Sequence, residues 1–544
     1  MFRKYLLFAI LKQTLGLMVS CGLYLGLSAV PVHAAEPKPS YSKVPMTAYN
    51  SLMDDALLGN SYEKPVWNLH DTLGLPDWLT VGLEQRSRYE SLSDTFKASQ
   101  PSPAPTAGGG DQQIALQTDL WIQAKLGKFR FAAEFMDARA LGSDVNTSST
   151  ANTNNTPNPP NNTMVDTADF TQGYISWADQ NAFFSGRGLE VKVGRQTMDL
   201  GSRRLVSRPV YRNAVNSFTG VRIRVLDYDK WQFNTFATMP VNRYPNYNSV
   251  TKDPNLLVKG NEQWDEEDTQ TWLSGGILEG YNLVKNINAE LYLYNLDEGD
   301  SKLNPTRNRH YFTPGLRFYI KPKKGSFDFV AEGMGQFGTV QYDTKSSTQQ
   351  QNHQAWSEHI EAGYSFDLPM SPRFLLEYDW ASGSKNSKSY ASGATDGRFD
   401  PLYAASDIDF GSSGIYSAFQ RSNINSPGYR LNFAPRSDLT VSIQQRLIWL
   451  ASAGDCWGGS SCSSGTAPGL KGNTNGTSGS YVGDQLGVSS RYNYNSSLNF
   501  DVGWFHLFKG QFAKSAIPSV TANGTSTKPG ADTNYFYVQS QLRF

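Results

Sequence analysis

The chain has 544 residues, 39% of them hydrophobic and 13% aromatic, with 48 glycines and equal numbers of basic and acidic side chains, 49 of each. So low a hydrophobicity excludes a bundle of membrane-crossing helices, and a balanced charge excludes a globally basic surface for nucleic acid. What remains is a large β protein rich in aromatics, either a soluble one or a barrel with a polar lumen.

At the N-terminus, Arg3, Lys4 and Lys12 border or interrupt an apolar run from Tyr5 to Val30. Val32-His33-Ala34 then offers a small-residue cleavage site before Ala35. This is the pattern of a secretory signal peptide over residues 1–34. The rival reading, lipidation at Cys21, is poorly served by the preceding Met18-Val19-Ser20. Loss of those basic residues leaves the mature chain slightly acidic, so any attraction for polyanions must be local. Residues 35–77 mix Pro, Ser and Asp with scattered apolar positions and read as a periplasmic leader, possible as an arm into a lumen.

From Trp78 a period of two takes over. Leu79, Val81 and Leu83 alternate with Thr80, Glu84, Arg86, Arg88 and Glu90, which predicts a strand with one apolar and one charged face. Ile114, Leu116, Leu120, Ile122 and Leu126 oppose Gln117, Asp119, Gln123 and Lys125, and Gly127-Lys128 reverses the chain into Phe129 to Arg139. Farther on, Ile287, Ala289, Leu291 and Leu293 oppose Asn288, Glu290, Tyr292 and Tyr294. The chain closes on Phe536, Val538, Leu542 and Phe544, an apolar alternating last strand with a terminal Phe.

Connections alternate in length. Long polar links are expected over 91–111, 140–165, 199–216, 241–267, 298–308, 339–352, 383–426, 451–479 and 510–531. Short turns are expected at Gly127-Lys128, between Asp179 and Gly188, at Asp227 to Asp229, Tyr281 to Val284, Lys321 to Gly325, Leu368 to Ser371, Ala434 to Ser437 and Asn493 to Asn495. This layout predicts an all-β chain forming a single transmembrane antiparallel β-barrel of about 18 strands over 78–544, with short periplasmic turns and long extracellular loops.

Between two such strands lies the densest arginine stretch, holding Arg195, Arg203, Arg204, Arg208, Arg212, Arg222 and Arg224 against the single acid Asp199. The stretch GRQTMDLGSRRLVSRPVYRNAVNSFTGVRI resembles a segment of the alginate export porins. Further matches are Phe135 to Arg139, Glu377-Tyr378-Asp379 with Ala381-Ser382-Gly383, Arg398 to Tyr403 and Ser422 to Gly428. The chain departs from the family pattern at Ser202, where an acid is common. The resemblance implies an 18-stranded barrel of the bacterial outer membrane with an arginine-rich passage for an anionic uronate polymer.

Parity alone places Arg86, Arg88, Lys125, Arg130, Lys192, Arg222, Arg224, Arg317, Arg430, Arg446, Arg491 and Arg543 toward the lumen. It puts Glu84, Glu90, Asp119, Glu134, Glu190, Glu290, Glu377, Asp379 and Asp501 there too. The bases outnumber the acids, reversing the sign of the mature chain. Arginine suits this task because its planar fork holds a carboxylate bidentately and stays charged. With the resemblance added, the expected pathway comprises Arg86, Arg88, Arg130, Arg139, Arg195, Arg203, Arg204, Arg222, Arg224, Arg317, Arg430 and Arg446. Many of these could instead pair across strands and brace the wall. Arg195 shares parity with lipid-facing Val191 and Val193, so it needs a bulge at Gly194 or a place beyond the lipid. Trp121, Tyr292, Tyr294 and Tyr319 on lumen parity either stack on sugars or fill space.

Cys456 and Cys462, close together in a Gly/Ser-rich stretch, are expected to form a disulfide. The histidines are dispersed; His353 and His359 near Glu358 and Glu361 form the one dense group, and no G-x-S-x-G elbow exists. The expectation is therefore a monomeric channel, with no catalytic or metal site and no cofactor. Its partners would be an anionic polysaccharide, outer-membrane lipid and periplasmic export machinery. A diffusion or uptake porin for small anions or uronate oligosaccharides is the alternative, and a barrel hydrolase a third.

Overall fold

In the computed structural model the described residues are 55–58, 64–94, 111–142, 164–243, 264–299, 306–341, 350–385, 395–412, 419–457, 470–471, 478–516, 521–522, 525–526 and 531–544. The expected signal peptide, 1–34, and most of the leader lie outside them.

Antiparallel strands follow one another around a ring: β1 (Leu79–Ser93), β2 (Asp111–Leu126), β3 (Phe129–Leu141), β4 (Asp166–Asp179), β5 (Gly188–Gln196) and β6 (Phe218–Asp227). Then come β7 (Trp231–Asn242), β8 (Thr271–Val284), β9 (Ile287–Glu298), β10 (His310–Ile320), β11 (Ser326–Gln341) and β12 (Gln350–Ser365). The ring is completed by β13 (Arg373–Ala381), β14 (Ile424–Arg436), β15 (Leu439–Trp449), β16 (Tyr481–Asn493), β17 (Leu498–Lys509) and β18 (Thr533–Arg543). β18 pairs with β1 from Glu84↔Arg543 to Ser93↔Asn534, so the 18-stranded sheet closes and leaves no edge. Among the described residues no helix is long and apolar enough to cross a membrane.

The alternation of side chains explains both faces. On β9, Leu291 and Leu293 are exposed on the outside while Glu290, Tyr292 and Tyr294 are buried inside. The same holds on β18, where Phe536 and Val538 face out and Tyr535 and Tyr537 face in. Exposed apolar side chains such as Ile175, Val193, Leu376 and Trp504 recur on most strands, which is the outward belt a lipid-embedded barrel needs.

The expected asymmetry of connections is present, with boundaries moved by a few residues. Where the turn was expected at Tyr281 to Val284, β8 runs to Val284, and Lys285 and Asn286, at φ 47° and 69°, make the reversal. Two consecutive left-handed residues form the type I′ geometry that matches strand twist, so pairing persists to the turn. Ser437-Asp438 likewise replaces the turn expected from Ala434, because β14 continues to Arg436.

The larger correction concerns the arginine-rich connection. Expected on the extracellular side, residues 197–217 fold back into the barrel instead. Residues 395–412 do the same, and the two segments pair through Ser207 N–H to Tyr403 O (3.1 Å) and Tyr403 N–H to Leu205 O (2.9 Å). Leu200, Leu205, Val206 and Tyr211 of the first segment and Phe399 and Phe410 of the second join one buried apolar cluster with Phe218, Tyr292, Tyr294 and Tyr535 of the wall. Burying such side chains at ~25 cal/mol per Å² is what draws these segments inward rather than into solvent.

Candidate functional site

The infolded segment 197–217 is anchored by side chains from the barrel wall. Arg86 donates to the carbonyls of Val210 and Arg212 (2.8 Å for the latter), and Arg88 donates to Tyr211 O at 2.8 Å. Asn213 Nδ2 is bonded to Leu116 O, Arg139 O and Met164 O, while its own carbonyl accepts from Gln117. Arg208 grips Glu134 bidentately, at 2.7 and 2.8 Å. At the far end, Gly201 sits at φ 52°, and a Cβ there would lie 2.8 Å from Glu290 Oε2 and from Ile277. Only glycine permits the segment to press this closely on β8 and β9.

Arg204 ties the two infolded segments to the wall, donating to Glu332 (2.9 Å) and to Asp409 (2.7 Å). Around Asp409 converge Arg421, Arg446, His359 and Asp379, with His359 Nδ1 at 2.7 Å from Asp379 and Nε2 at 3.0 Å from Glu361. His359, Asp379 and Asp409 are close enough to hold a metal ion. The guanidinium groups of Arg204, Arg421 and Arg446 already supply positive charge to those carboxylates, so the donor set does not call for one.

Most lumen arginines are paired in this way. Arg317 bonds Glu290 at 2.7 Å, Arg430 faces Glu377 at 2.9 Å, and Arg224 is held by Asp55 with Glu190 at 3.5 Å. Arg88 is paired with Glu90. Arg139, expected in the pathway, instead shares the outward parity of Phe135 on β3, opposite Leu116, and pairs there with Asp137, because Met136, Ala138 and Ala140 take the inward positions. Among the described residues, Arg130, Arg203, Arg212 and Arg222 have no carboxylate within ion-pair distance. Arg222 bonds only the amide oxygen of Asn234, at 2.8 Å, and Arg212 that of Asn216, at 2.7 Å.

Two of these belong to a cross-strand row. Lys125↔Arg130, Arg130↔Ser176, Ser176↔Lys192 and Lys192↔Arg222 are direct register partners on β2 to β6. Side chains at directly opposed positions stand ~5 Å apart, and strands in a barrel are tilted by ~40°, so such a row climbs the wall obliquely. Farther round the ring the sign differs. Glu279↔Glu290↔Arg317↔Glu332↔His359↔Asp379 is the corresponding row over β8 to β13. The lumen thus has a basic wall and an acid-rich wall.

The sequence profile of the alginate export family matches residues 77–525. The chain belongs to this family. No curated protein matches it. In fold it is similar to Pseudomonas aeruginosa OpdK, solved with vanillate, at 10% identity and a TM-score of 0.51, over 86% of this chain and 98% of the other. Pseudomonas aeruginosa OccK5 (OpdH) and Acinetobacter baumannii OccAB1 share 13% and 10% identity, each with a TM-score of 0.47 over 86% of this chain and 98% and 97% of theirs. This alginate export barrel is an outer-membrane channel of the bacterial envelope.

Within the alginate export barrel the expected residues separate into groups. Arg130 and Arg222 lie on the basic wall; Arg224 lies one pair of residues nearer the periplasm. Arg86, Arg88 and Arg139 touch the infolded segment or its surroundings, whereas Arg203 and Arg204 are part of it. Arg317, Arg430 and Arg446 lie on the acid-rich wall as ion-pair partners. Arg195 departs from the group. The pairing of β5 with β4 and β6 runs through Gly194 without a register shift, so Arg195 keeps the outward parity of Val193. It is the rim position foreseen as the other possibility: its guanidinium bonds Glu267 (2.7 Å) and the carbonyls of Asp265 and Phe170. Cys456 is disulfide-bonded, and Cys462 lies outside the described residues. Arg208, Arg421, Asp55 and Arg309, which donates to Glu298 at 2.8 Å, are structural participants that strand parity could not find, since all lie outside the strands.

Proposed function

We propose that the channel passes an anionic, alginate-like polysaccharide by passive electrostatic guidance, its carboxylates moving along the basic wall. The observation that carries this reading is the in-register row Lys125, Arg130, Lys192 and Arg222, of which Arg130 and Arg222 keep guanidinium donors free of any acid. A uronate polymer presents one carboxylate per sugar, and successive weak contacts suit it, because rings of Arg and Lys select anions without trapping them. The infolded segments narrow the passage and hold Arg203 and Arg212 inside it. Buried Tyr292 and Tyr294, stacked at 5.1 Å, pack with the segments, which favours a space-filling role for them.

The test is conductance across planar bilayers with and without a mannuronate polymer. Anion selectivity with polymer block, weakened by Arg222→Ala, is the expected result. Cation preference without block refutes the reading. Free flow of small anions without block favours the diffusion-porin alternative, and hydrolysis of the polymer by purified protein would establish an enzyme.

A further inference from the structure

The periplasmic mouth contains a carboxylate supplied by the chain itself. Residues Asp55–Leu58 lie against the short-turn rim of β4 to β6. Each oxygen of Asp55 faces a different nitrogen of the Arg224 guanidinium, one of them at 2.6 Å. The same carboxylate accepts the backbone N–H groups of Leu57 and Leu58, both at 2.8 Å, so it also organises its own turn. Leu57 is 1% exposed and packs with Ala178, Leu226 and Tyr228, while Gln180 donates to its carbonyl at 3.2 Å. A Cβ at Gly188 would approach Leu57 to 3.1 Å, so the missing side chain there leaves room for it.

Without Asp55 this corner is short of negative charge. Arg224, Arg222 and Lys192 lie on adjoining strands, and among the described residues Glu190 is the one other acid within ion-pair distance of them, 3.5 Å from Arg224 and 3.9 Å from Lys192. A bidentate Arg–carboxylate pair is the contact a uronate would make. We infer that Arg224, with Arg222 and Lys192, is a carboxylate-binding subsite at the periplasmic mouth, occupied here by the chain's own Asp55, which an entering uronate displaces. The inference rests on the proposed function for the identity of the competing carboxylate. The docked segment itself rests on geometry alone. A carboxylate carried on the same chain acts at a local concentration on the order of millimolar, enough to compete with one sugar but not with several bound in series.

Two variants of the full chain test this in planar bilayers. Asp55→Asn removes the charge, and Leu57→Ser undocks the segment while keeping it. The probe is a mannuronate hexamer added from the periplasmic side. Both variants are expected to lower its half-blocking concentration by about tenfold, as removal of a tethered competitor should. Both should also shift the reversal potential in a KCl gradient toward anions, since undocking uncovers Arg224. Block of the wild type that neither variant changes overturns the subsite. If the hexamer blocks nothing but both variants shift the KCl reversal potential, the self-ligand stands and the polyuronate reading falls. If they shift nothing, the self-ligand falls as well.

Discussion

An arginine that is free and one that is already paired should fail in opposite ways when removed, and Arg222 and Arg317 allow the comparison inside one lumen. Arg222 bonds only Asn234, whereas Arg317 is 2.7 Å from the carboxylate of Glu290, which is 2% exposed. A polymer carboxylate at ~4 Å from a guanidinium gains ~1 kcal/mol in bulk water and ~4 kcal/mol near a protein surface. A hydrated lumen lies toward the low end, and ~1.4 kcal/mol is a factor of ten in affinity. Arg222→Ala should therefore raise the half-blocking concentration of a mannuronate polymer by about tenfold, with little change in stability. Arg317→Ala removes a charge that Glu290 already neutralises, so block should change by less than about twofold. It also leaves Glu290 buried without its partner, a loss of about 3–5 kcal/mol that a urea-unfolding midpoint in detergent would register. Equal weakening of block by the two variants would refute the distinction between free and paired arginines.

Other outcomes follow from the same contacts. Glu134→Ala removes the bidentate carboxylate that Arg208 grips and should loosen 197–217; faster limited proteolysis there and a higher KCl conductance are the measures. Gly194→Ala places a Cβ 2.4 Å from Gly173 O at a φ of 126°, so reduced yield of folded, heat-modifiable barrel on a gel is expected. Burial raises the pKa of Asp400, but Arg309, Tyr311 and the backbone of Leu402 outweigh this and hold it at about 2. A depressed carboxylate stabilises the fold above its unfolded value and loses that contribution as pH falls through about 2. Asp400→Asn should accordingly cost about 2.5 kcal/mol at pH 7, with the gap to wild type closing as the pH is lowered to about 2; a gap independent of pH would contradict the assignment.

Strand number, closure and the two kinds of connection were legible because they depend on a local period of two and on local turn residues. Leu291 and Glu290 could be assigned to opposite faces from their neighbours alone. Turn positions were less legible, since Lys285-Asn286 carries no glycine or proline to mark it. The direction of 197–217 was not legible at all. It depends on contacts such as Arg204 with Asp409, 205 residues away, and Arg208 with Glu134, 74 residues away. One signal was available: Leu200, Leu205, Val206 and Tyr211 are too apolar for an extracellular loop when set beside the Asn/Thr-rich connection at 140–165. Arg195 shows the converse case. Parity correctly raised the problem, and the unbroken register through Gly194 resolves it in favour of the rim.

The pairing of so many arginines bears on how a polyanion could move at all. A lumen with every guanidinium free would bind successive carboxylates with additive strength, and a polymer spanning several sites would leave very slowly. Here Glu290, Glu332, Glu377 and Asp379 are paired along one wall, and of their partners Arg204 and Arg430 also bond the infolded segment around Asp409. Among the described residues, Arg130 on β3, Arg222 on β6, and Arg203 and Arg212 of the infolded segment are arginines without a carboxylate in ion-pair distance. Attraction is therefore spread along one oblique track, while the ion-paired wall offers a chain that strays from it no comparable hold. On this reading a charge reversal on the track, such as Arg130→Glu, should abolish polymer block more completely than removal of any paired arginine. Restoring one positive charge elsewhere on the acid-rich wall should not rescue it, because position on the track, and not net lumen charge, determines the passage.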